Sequence, residues 1–119
     1  MAVVAVVLTP LLSLQAAVVV PRTTRVSVAS NGHQGDNGSG FPVISEDGRF
    51  VAFESSASNL VPHDNSGGFQ RADVFVHDRL TGRTERASVA SNGAEGDASS
   101  GNPAISATGR FVAFVSGAK

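Results

Sequence analysis

The sequence predicts an all-β chain, a four-stranded antiparallel unit present about one and a half times behind an apolar leader. Three observations predict it. Arg25–Phe53 reads RVSVASNGHQGDNGSGFPVISEDGRFVAF and returns without a gap 61 residues later, over Arg86–Phe114, as RASVASNGAEGDASSGNPAISATGRFVAF. Of these 29 positions 20 are identical, which chance does not give, so the two stretches are copies of one structural unit. Second, short Val, Ile, Phe and Ala runs alternate with Gly-, Asn- and Ser-rich breaks at strand spacing, with no helical period. Third, all 9 basic and all 10 acidic residues lie from Arg22 onward, so residues 1–21 are a separate material.

Residues 1–21 hold 16 apolar residues, interrupted by Thr9, Pro10, Ser13 and Gln15. They predict a secretory signal peptide: an apolar centre is present and Ala16-Ala17 offers a small residue for cleavage. The basic n-region is missing. A retained membrane anchor, which needs about 20 apolar residues, and a buried core segment are the alternatives. The body, residues 22–119, is expected to be a partial repeat array.

Within the body, Thr24–Ala29 alternates and predicts a fourth strand of the unit, broken at Ser30-Asn31-Gly32. Residues 31–40 form a polar loop. Pro42–Ser45 predicts a strand opening on a proline, where no ladder donor is required. Glu46-Asp47-Gly48 is a tight turn between apolar runs, and the second copy keeps its glycine as Gly109 while Thr108 replaces Asp47. Arg49–Phe53 is the next strand; its two faces, Phe50/Ala52 and Val51/Phe53, are both apolar, which predicts a sheet covered on both sides. Asp73–His77 predicts a third strand, Arg79–Gly82 a turn, and Thr84–Ala90 a fourth strand equivalent to Thr24–Ala29.

Four antiparallel strands per repeat, packed on both faces, describe a propeller blade rather than a sandwich, whose strands alternate apolar and polar. A blade buries its faces against neighbouring blades, so 33 apolar residues among the 98 from Arg22 onward are blade faces, not a poor single core. Ile-Ser-Glu-Asp-Gly-Arg-Phe-Val-Ala-Phe at 44–53 and Ile-Ser-Ala-Thr-Gly-Arg-Phe-Val-Ala-Phe at 105–114 resemble the signature of the TolB-type, WD-repeat-like β-propeller family. Asp73-Val74-Phe75-Val76, followed by Asp78-Arg79 and Thr81-Gly82, resembles its third-strand signature. The resemblance covers about residues 24–119. It implies the fold and says little of a ligand; Thr108 departs from it. Family members occur as secreted or periplasmic bacterial proteins, as scaffolds or beside enzymatic domains, and that context is implied here. A ring needs about 4–8 blades, so the chain is expected to be a fragment of a longer propeller. Assembly of a ring from several chains is the alternative, and the lack of a third strand in one blade argues against it.

Composition narrows the function. A net charge of −1 leaves no electrostatic footprint for nucleic acid or an anionic membrane, so a membrane is expected only through an uncleaved leader. Without Cys there is no disulfide framework, thiolate metal site or cysteine nucleophile. No G-x-S-x-G elbow occurs, and His33, His63 and His77 lack metal-ligand spacing. Asp36, Asn37, Asp64, Asn65 and Asp97 sit in Gly-rich loops; Asp36 and Asp97 are repeat-equivalent, which favours turn formation over calcium. Arg25 and Arg86, Arg49 and Arg110 are equivalent pairs, and Asp78 with Arg79 flanks a turn; inter-strand or inter-blade ion pairs are expected, with an anion-binding rim as the functional reading. Phe75 is expected in the core; Phe41 and Phe69 lie in loops, packed under them or as partner anchors. No catalytic residue, metal or cofactor is expected. The expectation is a non-catalytic, exported scaffold binding a protein or small ligand through loops 31–40, 55–72 and 92–101, with further blades from the same or another chain. A propeller segment of a peptidase-like hydrolase and a non-functional remnant are the alternatives.

Overall fold

The computed structural model describes residues 22–64 and 71–119; the leader, Asn65 and Phe69 lie outside them. The described chain is all-β. Six strands, β1 (Ser39–Ile44), β2 (Phe50–Ser55), β3 (Asp73–Asp78), β4 (Thr84–Arg86), β5 (Ser100–Ile105) and β6 (Val112–Ser116), form two antiparallel sheets. One is the four-stranded meander β1-β2-β3-β4 and the other the hairpin β5-β6. Among the described residues no helix is long and apolar enough to cross a membrane.

The sequence repeat is a structural repeat. β1 pairs with β2 through Ser39↔Ser55, Gly40↔Glu54, Val43↔Ala52 and Ile44↔Val51. β5 pairs with β6 through Ser100↔Ser116, Gly101↔Val115, Ala104↔Ala113 and Ile105↔Val112, the same register 61 residues on. Both hairpins carry a bulge at the same place, with Phe41 (φ 49°) and Asn102 (φ 52°) in the left-handed region. Asparagine tolerates that conformation and phenylalanine does not, so copy one is the more strained. The first strand starts at Ser39, earlier than its proline suggests. Pro42 lies inside the bulge, where no ladder donor is needed.

Both turns use one serine twice. Gly48 N–H donates to the Ser45 carbonyl at 2.8 Å and Phe50 N–H to Ser45 Oγ at 3.0 Å; Gly109 and Phe111 repeat this on Ser106 at 2.9 and 3.0 Å. Gly48 (φ 70°) and Gly109 (φ 71°) supply the left-handed residue. The Asp47 carboxylate adds bonds from Ser45 Oγ (2.5 Å) and Arg49 N–H (3.0 Å), which Thr108 has no carboxylate to accept. The turn survives without them.

Residues directly opposed across a ladder share a face. Val51, Phe53 and Ser55 therefore stand with His77, Phe75 and Asp73, and β4 adds Thr84 and Arg86 to that face. Ala57, Leu60 and Val61 from the loop after β2 cover it, making the buried cluster around Phe53 and Phe75, whose rings stack 5.9 Å apart. The opposite face, with Phe50, Ala52, Glu54 and Val74, meets β5. Asn102 N–H donates to Glu54 Oε2 at 3.2 Å, and the Gly109 turn lies against the Phe50 ring. β2 is thus covered on both sides.

Two expected strands are shorter. Thr84–Ala90 stops at Arg86, because the Val74 carbonyl accepts from both Ala87 N–H (2.7 Å) and Ser88 N–H (3.3 Å) and the ladder ends there. Thr24–Ala29 forms no strand among the described residues; it makes the isolated bridge Val28↔Gln34, which Val89↔Glu95 repeats. Its Val28–Ser30 end instead flanks β4. Ser30 Oγ accepts from Thr84 N–H at 2.9 Å, and Thr84 Oγ1 donates to the Val28 carbonyl at 2.5 Å.

Candidate functional site

The aspartates shared by the two copies are turn clamps. Asp36 accepts from Ser58 N–H (2.7 Å) and Ser58 Oγ (2.6 Å), and Asp97 accepts from Lys119 N–H (3.1 Å), the residue equivalent to Ser58. The Ser58 hydroxyl, with its backbone N–H, holds the Asp36 carboxyl below its ordinary range. Each clamp ties the loop before a hairpin to the segment leaving it.

The Arg49 guanidinium, from the residue just before β2, reaches β3 and makes a two-pronged contact with Asp78, at 2.9 and 2.7 Å. That hydrogen-bonded pair keeps the Asp78 carboxyl well below the usual carboxylate range and raises Arg49. Arg79 Nη1 donates to the Gly48 carbonyl at 2.6 Å, locking adjacent turns. Arg110, the repeat-equivalent of Arg49, stacks 5.4 Å from the Phe111 centroid and has no acidic partner among the described residues.

The three histidines have unlike surroundings. His33 is exposed; its backbone N–H donates to Asn31 Oδ1 at 3.0 Å and its carbonyl accepts from Ala29 N–H at 2.8 Å, as Ala94 does with Asn92 and Ala90. His63 is exposed at φ 58°. His77 is buried with Nδ1 2.9 Å from Thr84 Oγ1. Since that hydroxyl donates to Val28, Nδ1 carries the proton and donates to it. Burial pushes the His77 pKa down.

The densest cluster of charge is one the sequence did not announce. Arg86 lies under the sheet with its guanidinium 5.9 Å from the Phe75 ring. Its Nη2 is 2.9 Å from Asp64 Oδ2, its Nη1 3.1 Å from Glu95 Oε2 and its Nε 3.9 Å from Asp73 Oδ2. Arg86 and Asp64 side chains are 8% and 1% exposed, so water screens this contact little. Ser88 Oγ donates to Asp73 Oδ1 at 2.7 Å and accepts from Val74 N–H at 3.0 Å. Burial raises the Asp73 pKa, against the pull of Ser88 and Arg86. One ligand atom each from Asp64, Asp73 and Glu95 lies within 4.8 Å of the others, a spacing that suits a divalent cation, and the guanidinium is the cation these carboxylates hold here. The network ties the loop carrying Asp64 to β3, β4 and the segment at Glu95. A cleft of about 520 Å³ opens beside it, walled by Val61, His63, Arg83, Glu85, Arg86 and Glu95.

Sequence reasoning paired Arg86 with Arg25 but not with its acids. Arg25 bonds Gln34, the residue equivalent to Glu95, and is exposed. The readable signal was Asp73: by strand alternation it shares the face of Phe75 and His77, so its charge needed a buried partner. Phe75 is fully buried, Phe41 is 64% exposed, and Asn37 accepts from Gly38 N–H. Comparison with protein-family models, curated proteins and solved structures gave no match.

Proposed function

We propose that this chain is a non-catalytic, exported repeat scaffold of the β-propeller type that binds partners through its loops and packs further repeats on its open sheet face. One observation carries the reading: register, bulge, serine-centred turn and aspartate clamp all recur at 61 residues, while the carboxylates of the Arg86 cluster are ion-paired to its guanidinium. What recurs is architecture. Support for further repeats comes from the packing of β5 on β2. Phe50 and Glu54 meet Gly109 and Asn102 there, whereas their equivalents Phe111 and Val115 are 67% and 65% exposed. Leu80 and Phe41 add apolar groups that a loop-bound partner would cover.

Expression of residues 1–119 in a bacterium, with fractionation and intact mass, tests export. Cleavage near Ala16-Ala17 in the exported fraction is expected; intact chain confined to the cytoplasm overturns it. The packing of further repeats on the open face is tested by amide NMR of the chain with and without an appended second copy of residues 59–119. Shifts at Phe111 and Val115 are expected, and an unchanged spectrum there would contradict it.

A further inference from the structure

The chain contains three Asn-Gly pairs, Asn31-Gly32, Asn37-Gly38 and Asn92-Gly93, all exposed. An asparagine followed by glycine loses ammonia without an enzyme, because glycine has no side chain to keep its backbone nitrogen from the asparagine Cγ. The nucleophile is that nitrogen after its proton has left. What the glycine N–H is bonded to therefore decides how readily each pair reacts.

Two of the pairs are held back in the same way. Gly32 N–H donates to the Ala29 carbonyl and Gly93 N–H to the Ala90 carbonyl, both at 2.8 Å. Removing either proton breaks a backbone hydrogen bond. The carboxamides also reach past the glycine: Asn31 Oδ1 accepts from His33 N–H and Asn92 Oδ1 from Ala94 N–H, both at 3.0 Å. These are the Asx turns of the repeat. Asn37-Gly38 differs. Gly38 N–H donates to Asn37 Oδ1 itself, at 2.8 Å, its only acceptor among the described residues. The attacking nitrogen thus already lies alongside the carboxamide, as a near-attack arrangement requires. Copy two has Ala98 at this position, so the feature is no part of the repeat architecture.

We propose that Asn37 is a site of spontaneous deamidation, at which the Gly38 nitrogen closes a succinimide that water opens to aspartate and isoaspartate. Solvent base takes the Gly38 proton, the N–Cγ bond forms, the Cγ–Nδ2 bond breaks, and ammonia leaves with a proton from solvent. Water then adds to either imide carbonyl. Cleavage of the new N–Cγ bond gives aspartate, and cleavage of the original Asn37–Gly38 bond gives isoaspartate. The sum is asparagine plus water to a carboxylate plus ammonia.

The site sits between two anchors. Asp36 clamps Ser58, and the Gly38 carbonyl accepts from Ser55 Oγ and Ser56 N–H, both at 3.0 Å. Isoaspartate lengthens the main chain between these anchors and sets a second carboxylate beside Asp36. The loop before β1 is loosened with age in copy one alone.

The test ages the full chain at mildly alkaline pH, folded and in urea, and quantifies the three sites by peptide mapping with mass spectrometry. In the folded chain Asn37 should convert about tenfold or more faster than Asn31 and Asn92. In urea the three rates should converge. Conversion should speed amide exchange at Ser56 and Ser58 in the refolded or folded protein, and Asn37→Ala, the residue copy two already carries, should abolish that drift. An unreacted Asn37, equal rates at the three sites in the folded chain, or an Asn37 preference that persists in urea would overturn the proposal. So would the same drift at Ser56 and Ser58 in the Asn37→Ala chain.

Discussion

The hairpins β1-β2 and β5-β6 contain the same six residues, Gly-Arg-Phe-Val-Ala-Phe, at 48–53 and 109–114, with the same register and the same turn. Their surroundings differ. Val51, Ala52 and Phe53 are buried, whereas Val112 and Phe114 are half-buried and Ala113 is exposed. The hexapeptide therefore fixes the hairpin, and the neighbours fix the burial. β3 on one edge, the Ala57–Val61 loop on one face and β5 on the other complete the first copy. The second copy has the pattern without those neighbours among the described residues. In a repeat protein stability is a property of interfaces, not of single units.

Paired substitutions at equivalent positions break or sharpen this contrast. The largest difference is expected at the arginines. Arg86→Ala strands Asp64, Asp73 and Glu95 without their cation and should cost about 3–5 kcal/mol. Arg25→Ala, at an exposed side chain, should fall within about 0.5 kcal/mol. Urea unfolding of both variants reads the difference. Next are the aromatics. Phe53→Ala opens a cavity at the centre of the cluster and should cost about 3–5 kcal/mol. Phe114→Ala loses a half-buried ring and should cost about 1 kcal/mol. Equal losses would mean that the second copy is as well packed as the first. Third are the turn glycines. Both alanine substitutions force a side chain into the left-handed region, at about 1–2 kcal/mol each. At Gly48 the new methyl meets only Arg79 Nη1 at 3.6 Å, but at Gly109 it lands on the Phe50 ring. Gly109→Ala should therefore be the worse by about 1–3 kcal/mol.

The smallest effects are titrations confined to the first copy. The folded-state pKa of Asp78 is depressed, so its stabilisation is present above the unfolded value near 3.8 and is lost as pH falls through the folded range. His77 is also depressed; its contribution is present above about pH 6.5 and declines as the unfolded chain takes up the proton below that. Asp73, raised by burial, works the other way: stability rises as pH falls from its folded pKa toward 3.8. In acid unfolding series, His77→Gln should remove the loss beginning below pH 6.5, and Asp78→Asn should reduce the loss below 3.8, the remainder coming from Asp36 and Asp47, whose carboxyls are also depressed.

The sheet was legible because its determinants are local. Asp-Gly set the first turn, alternation at Phe50–Phe53 set two apolar faces, and Phe75 was placed in the core by its strand. The fourth strand was over-extended because Ala87-Ser88-Val89 continues the alternation of Thr84–Arg86, while the Val74 carbonyl, far off in sequence, ends the ladder. The Arg86 cluster was illegible for the same reason. Its acids come from a loop, from β3 and from the segment beyond β4, and only the closed loop at Leu60–Asp64 brings them within reach. Asp36 and Asp97 were readable as turn residues, though their partners Ser58 and Lys119 were not.

Neighbours, not sequence, separate the two hairpins, and amide hydrogen exchange tests this within one sample. Arg49–Phe53 and Arg110–Phe114 have the same residues in the same order after a glycine, so their intrinsic exchange rates match. Strong protection is expected along β2, extending to amides bonded to β3, and much weaker protection along β6, where among the described residues only the β5 side is bonded. Equal protection in the two segments would contradict it.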